Sequence, residues 1–369
     1  MSKIKPHFIM RKTRNIYITL IFLSLLSLSI PYINENEKFS YVDALISIKS
    51  VLLDGLLFYI VYFYYTLNIN ESRFMLQLLV IIIGVAAFLT FIDAATNAVS
   101  IFGFDLVETN RPLGAFGEPN QTALIIALYT PFIISICLVG NMNRFVSISC
   151  AIFCFSAIVM TSSRGGIVSL CVGLLVFIWM AKDNLKIEQK LLMSISLPMG
   201  SLVGWFVLPT KYTDLILDRF SFIGNNTIDF QEASAGRTYL WDVGYKMWLD
   251  SPIFGNGWTA FKSTTGAAIH NTLLEYLVGM GLIGAALFMY LWYTIFVFVS
   301  KTRKYCHSRH DTIIISGLAA GIIALLTGLL FVNLYITWFF VWIYAGITMA
   351  YCNIIRYRYR LRNHLMVIK

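Results

Sequence analysis

Charge is what this chain has least of. Asp, Glu, Lys and Arg make up 13% of its 369 residues, about half the share of a soluble domain. A water-facing globular fold is excluded on that ground alone. The six cysteines (Cys137, Cys150, Cys154, Cys171, Cys306, Cys352) fall in apolar runs or in a basic loop. Their spacing shows neither a disulfide framework nor a metal knuckle. Cys150 and Cys154 share a helix face and read as two small apolar residues. No GxxxxGK[ST] loop is present: "GNGW" lacks the Lys-Ser/Thr continuation. Neither an HExxH helix nor a serine elbow occurs, which removes the common nucleotide, zinc-protease and serine-hydrolase signatures.

What the chain does have is hydrocarbon. Hydrophobic residues reach 58% and mean hydropathy is +0.73. Apolar runs long enough to cross about 30 Å of bilayer recur throughout. They predict an all-α polytopic helical bundle of about ten spans (ten to twelve): 15–33, 45–67, 75–93, 121–139, 144–161, 165–181, 190–208, 273–300, 313–332 and 334–353. Transmembrane strands would read as short alternating segments instead. The first run follows the basic "RKTR" with no small-residue cleavage site after it, and so is expected to be an anchor. No internal repeat or low-complexity tract is visible. The chain reads as a single polytopic domain, 1–369.

The +9 net charge is distributed as topology requires. With the N-terminus in the cytoplasm, the cytoplasmic segments hold 19 Lys/Arg and four acids, and the opposite segments eight Lys/Arg and twelve acids. This positive-inside split predicts both termini in the cytoplasm. "KTRKYCHSR" and "RYRYRLR" are then topogenic and need no nucleic acid. The outer side would hold a short loop at 34–44, a second at 94–120, the tight "SSRGG", and one large loop, 209–270. In that large loop Arg237, Trp241, Gly244, Tyr245 and Trp248 recur at helical spacing. They predict an interfacial amphipathic helix that stops at Ser251-Pro252.

Chemistry is expected on that side. His270 is the one outward histidine. Mounted at the head of span eight beside Asn271, it could accept a proton near ambient pH. The plainer alternative is an interfacial histidine whose polar tip faces headgroups. Glu275 lies five residues on, about 140° around the helix, so it does not pair with His270 and needs another partner. Arg164, in a turn whose glycines are expected to permit the reversal, is either fixed at headgroup depth or a snorkelling anchor. Arg237 opens the interfacial helix. Arg111 precedes "PLGAFGEPN", with Glu118 in the turn and Asn120 expected to cap span four. That helix N-terminus would point at an anion. Guanidinium forks suit phosphate oxygens, so a lipid with phosphates at headgroup depth is the natural substrate. Glu35 and Glu37 are the nearest thing to a metal-binding pair outside, and a solvated loop explains them better. Lys49 and Asp54 in span two, and Asp93 in span three, could line a cavity or pair with one another.

The ordered set "GAFGEPNQTA", "SSRGG", "GRTYLW…DSPIFGNG" and "HNTLLEYLVGMGLIG" resembles the O-antigen ligase and O-antigen polymerase superfamily of bacterial membrane glycosyltransferases over roughly 111–290. The N-terminal hundred residues resemble it only as generic spans. The resemblance implies a periplasmic active site in the inner membrane, without metal or other cofactor. The donor would be a glycan on undecaprenyl diphosphate. His270 would be the catalytic base, with Arg164 and Arg237 binding the diphosphate and Arg111 less firmly implied. Asn120, Asn271, Glu275 and Glu118 would support them. The acceptor would be lipid A core, a lipid-linked repeat or a protein hydroxyl. Twelve spans are common in such enzymes, and ten are read here. A transporter would use Lys49, Asp54, Asp93 and Glu275 as an ion path. It is disfavoured because neither an inverted repeat nor a pair of broken helices is evident.

Overall fold

The computed structural model describes residues 8–34, 37–65, 68–96, 113–140, 142–190, 237–334 and 338–367. Among them every regular element is helical and no strand occurs. Eight stretches are long and apolar enough to cross a membrane: Phe8–Ile33, Tyr41–Val61, Ile69–Ala94, Pro119–Val139, Arg164–Asn184, Thr272–Tyr305, Arg309–Gly328 and Trp338–Asn363. Arg144–Met160 is a shorter ninth. The all-α polytopic expectation therefore holds. The expected seventh span lies outside the described residues apart from Lys190, as do 97–112 with Arg111, residues 209–236 of the large loop, and Glu35.

The helices are α1 (Phe8–Leu26), α2 (Ser29–Ile33), α3 (Tyr41–Ile48), α4 (Asp54–Tyr65), α5 (Ile69–Thr96), α6 (Pro119–Val139), α7 (Arg144–Met160), α8 (Arg164–Ala181), α9 (Arg237–Asp250), α10 (Ala260–Thr265), α11 (Thr272–Thr302), α12 (Arg309–Gly328) and α13 (Trp338–Val367). The centre is α6, buried from Pro119 to Ile136 by α7, α8 and α12. Backbone approaches of this kind need small residues, because lipid offers no hydrophobic drive between helices. One face of α12 supplies them. A Cβ on Gly317 would stand 2.8 Å from the Pro131 carbonyl oxygen, and one on Gly321 2.3 Å from that of Leu128. On α4, Gly55 admits Trp342 of α13. The π-helical turn Lys49–Leu53 leaves the Val51 carbonyl to accept from Trp342 Nε1 at 3.2 Å. Lys49 and Asp54 flank this turn and pair at 2.8 Å, one of the two arrangements the sequence allowed.

The loop charges divide between the two ends of the bundle. At the basic end Arg303 donates to the Met180 carbonyl and Arg309 to that of Asn184, meeting the negative end of the α8 dipole. Arg73 and Tyr351 converge there on Asp311 at 3.3 and 2.6 Å. Charges read as topogenic thus also tie helix ends together.

α11 is broken. Gly281 has φ +62°, and the helix restarts beyond it. The turn 251–257 fills the break. Leu282 N–H donates to the Pro252 carbonyl at 2.9 Å, Asn256 N–H to Val278 at 2.7 Å, and Gly257 N–H to Gly279 at 3.0 Å. "DSPIFGNG" and "GMGLIG" are therefore two halves of one contact. The broken helix was not legible beforehand; its freed backbone groups are taken up by protein.

Candidate active site

The end opposite the basic one gathers the candidate residues. α9 runs as expected from Arg237 to Asp250 and lies against α11. Its buried Gly244 admits Ile269, with Leu274 alongside, and Trp241 Nε1 donates to the Ile269 carbonyl at 3.0 Å. That bond fixes the peptide just before His270. The histidine itself sits in the left-handed region, φ +53°, which is uncommon for residues other than glycine, though less so for Asn, Asp and His. Asn271 then caps α11, its side chain accepting from Leu274 N–H at 3.0 Å. The helix start is anchored further by Thr272, which donates to Leu329 through its amide at 2.8 Å and to Val332 through its hydroxyl at 2.9 Å. The imidazole is thus thrown off the helix axis by a strained residue between two fixed ones.

The segment 329–334 joining α12 to α13 is the hub, and sequence reasoning passed over it. Arg237 donates through Nη1 to the Phe331 carbonyl. The Phe331 side chain packs on Gly165, where a Cβ would stand 2.8 Å away. Asn333 Nδ2 donates to Glu275 Oε2 at 2.8 Å; this is the partner the buried carboxylate required. Only the generic apolar run 313–332 and the chain reversal after it mark this segment in the sequence.

Three local expectations are corrected. Asn120 does not cap α6. Glu118 does, its Oε2 accepting from Gln121 N–H at 2.7 Å, because the chain turns one residue before Pro119, which is well suited to the first helical turn. Asn120 instead donates to Glu118 Oε1 at 2.6 Å and accepts from Ser163 Oγ at 3.0 Å. The α6 N-terminus consequently faces a carboxylate of its own chain and is not open to a substrate anion. The glycines of "SSRGG" do not make the reversal either. Ser162 makes it, with φ +50°, and Ser163 caps α8, accepting from Gly166 N–H. Gly165 and Gly166 lie inside α8 and serve packing: a Cβ on Gly166 would stand 2.4 Å from that of Ala123. Arg164 is therefore the first residue of a rigid helix, joined through Ser163 and Asn120 to Glu118.

Electrostatics bind the set together. The His270 pKa is lowered from its ordinary value, first by burial and next by the Arg237 guanidinium, while Glu118 pulls it the other way. Among the described residues no hydrogen bond occupies the imidazole. The Ser162 hydroxyl, two residues from Arg164, is buried and without a partner among the described residues. Among those residues no cluster of three His, Cys, Asp or Glu could hold a metal ion. The geometry brings together His270, Arg237, Glu118, Asn120 and Ser163, with Arg164 next in chain. Glu275 belongs to the neighbouring contact with Asn333, and Asp93 is engaged elsewhere, accepting from Gly114 N–H at 3.2 Å.

Apolar helices of spanning length, with an imidazole coupled to the Arg237 guanidinium at one end, define a multi-pass helical membrane protein with a polar site. Residues 149–289 match the family described as O-antigen ligase. The match supports the resemblance to that superfamily of membrane glycosyltransferase-like ligases and polymerases, and it takes in Arg164, Arg237 and His270. No curated protein matches the chain.

Proposed function

We propose that this protein is a metal-independent, inverting glycosyltransferase. It moves a glycan from undecaprenyl diphosphate to an acceptor hydroxyl at the periplasmic face of the bacterial inner membrane. The observation that carries the reading is the meeting of His270 with Arg237 beside the Arg164 turn, within the region that matches the ligase family. His270 takes the acceptor's proton. The freed oxygen attacks the anomeric carbon opposite the leaving group, and the bond from that carbon to the diphosphate oxygen breaks. Arg164 and Arg237 stabilise the charge gathering on the departing diphosphate, electrostatic work that is strongest where water is excluded. Arg111 stands in the same role from outside the described residues. Glu118 and Asn271 hold backbone around the site, and Asn120 bridges Glu118 to Ser163.

Ligation to lipid A core is the first reading of the acceptor. A polymerase acting on a second lipid-linked repeat, or an O-oligosaccharyltransferase acting on a protein hydroxyl, would use the same chemistry. The test is transfer in proteoliposomes from undecaprenyl diphosphate-linked glycan. His270→Ala should lose at least about a hundredfold in rate, as expected for a general base, while inserting and folding normally. Transfer near the wild-type rate would overturn the assignment. Loss of the cellular gene then separates the acceptors. Lipid-linked chains left unligated mean ligase, single-repeat glycans mean polymerase, and a mobility shift in a glycoprotein means protein transfer.

A further inference from the structure

A second site lies at the same end of the bundle, away from the arginines. The first span breaks after α1. Ser27 Oγ there accepts from Trp258 N–H at 3.0 Å, and Pro31 of α2 packs on Gly257. These bonds hold α2 against the turn that follows α9, and between them a cleft of about 650 Å³ opens. Its apolar side is formed by Leu26, Ile30, Phe254 and Ile283. Leu26 and Phe254 are exposed, so the cleft reaches the surface that faces lipid. Its polar side carries Ser29, Asn34, Asp250 and Ser251. Among the described residues the side chains of Asn34, Asp250 and Ser251 make no hydrogen bond or ion pair.

The charge of the cleft is informative. Among the described residues no Lys or Arg lines it, and Asp250 is the one ionisable group there. A diphosphate would meet only a like charge there. Sugar hydroxyls instead find a carboxylate, an amide and hydroxyls to bond, with Phe254 as a flat apolar surface. The position is informative too. Asp250 ends α9 and Arg237 begins it. Arg237 is the end electrostatically coupled to His270.

We propose that this cleft between α1–α2 and the turn after α9 docks the acceptor, and that it grips an uncharged, hydroxyl-rich stretch of the acceptor's saccharide. The inference rests on the glycan-transfer reading and adds the acceptor's place to it. Because Met280 of α11 lines the cleft and α11 begins at Thr272, two residues after His270, the cleft and the base lie roughly 12 Å apart along that helix at 1.5 Å per residue, and the hydroxyl that reacts sits beyond the docked sugar. An acceptor of one sugar on a lipid would dock without reaching His270.

The test uses the full protein in nanodiscs, with benzoylphenylalanine in place of Phe254 as a photo-crosslinker. The probes are alkyl glucosides of increasing sugar number, an alkyl phosphate of the same chain length, and the bilayer phospholipid. Crosslinking to the alkyl oligosaccharides and not to the alkyl phosphate is expected. Crosslinking to phospholipid alone, or to alkyl phosphate equally well, overturns the proposal. The kinetic arm supplies lipid A–core glycolipid as acceptor and undecaprenyl diphosphate-linked glycan as donor. Ser29→Trp, which fills the cleft, and Asp250→Lys, an exposed change that folding tolerates, should each raise the acceptor KM about tenfold while the donor KM stays within about twofold. Unchanged acceptor KM in both variants, with wild-type transfer intact, overturns the cleft and spares the transferase. A wild-type protein that transfers no glycan overturns the transferase reading, and the crosslink still decides what the cleft binds.

Discussion

His270 is held by its neighbours in a conformation it would not choose. A left-handed residue other than glycine costs of the order of 1–2 kcal/mol, and here Trp241, Asn271 and Thr272 supply the bonds that keep it there. The same neighbourhood lowers its pKa, so the imidazole stays neutral, and able to accept a proton, at a pH where a free histidine would be charged. The sign gives a pH prediction. The acid limb of kcat/KM, which reports the free enzyme, should have its midpoint below 6.5, the ordinary value. Arg237→Gln removes one of the two lowering causes, so the midpoint should rise towards 6.5 without reaching it, because burial remains. Arg237→Lys keeps the positive charge and should leave the midpoint in place while still weakening donor use, since the planar fork is lost. A midpoint unmoved by Arg237→Gln would show that the two groups are not coupled. Arg164→Lys should also impair donor use through the lost fork; full activity with lysine at both positions would remove the diphosphate role.

At the scale of elements, the broken α11 and the turn after α9 form one unit. The break needs Gly281, whose Cβ would stand 2.2 Å from the Ile253 carbonyl oxygen, and the turn needs Gly255, whose Cβ would stand 2.5 Å from Gly281 N. Both have positive φ. Gly281→Ala combines left-handed strain with overpacking and should destabilise by roughly 2–4 kcal/mol, read as a fall in Tm in detergent. Gly255→Ala should act in the same direction. The double variant should lose less than the sum, because both changes push apart one contact; strict additivity would deny the coupling. α9 and α11 are the two elements that carry Arg237 and the approach to His270, so either substitution should also lower transfer at temperatures where the protein remains folded.

For the whole molecule, the functional expectation is geographic. Residues 29, 164, 237 and 270 gather at one end, and Arg73, Arg303 and Arg309 at the other. Single cysteines in place of residues 29, 164 and 237 should react with a membrane-impermeant thiol reagent from the periplasm, while one in place of the exposed Lys304 should react only after permeabilisation. A cytosolic position for any of the first three would remove the proposed site. Much of this was legible before any fold was known. Composition set the helical bundle, because backbone polar groups in hydrocarbon have no other partner. The bias of Lys and Arg marked the two sides, and the rarity of histidine and arginine on one of them picked out His270, Arg164 and Arg237. Tertiary structure decided the rest. Hydropathy is blind to a helix broken at Gly281, since the residues on both sides are equally apolar. The cap of α6 fell to Glu118 and not Asn120 because a two-residue shift at a turn changes which oxygen meets the free amides. The segment 329–334, which joins Arg237, Thr272 and Glu275 through backbone carbonyls and one amide side chain and meets Gly165 with the Phe331 side chain, has no sequence signature: a carbonyl acceptor belongs to every residue, and only the path of the chain brings it to a particular guanidinium.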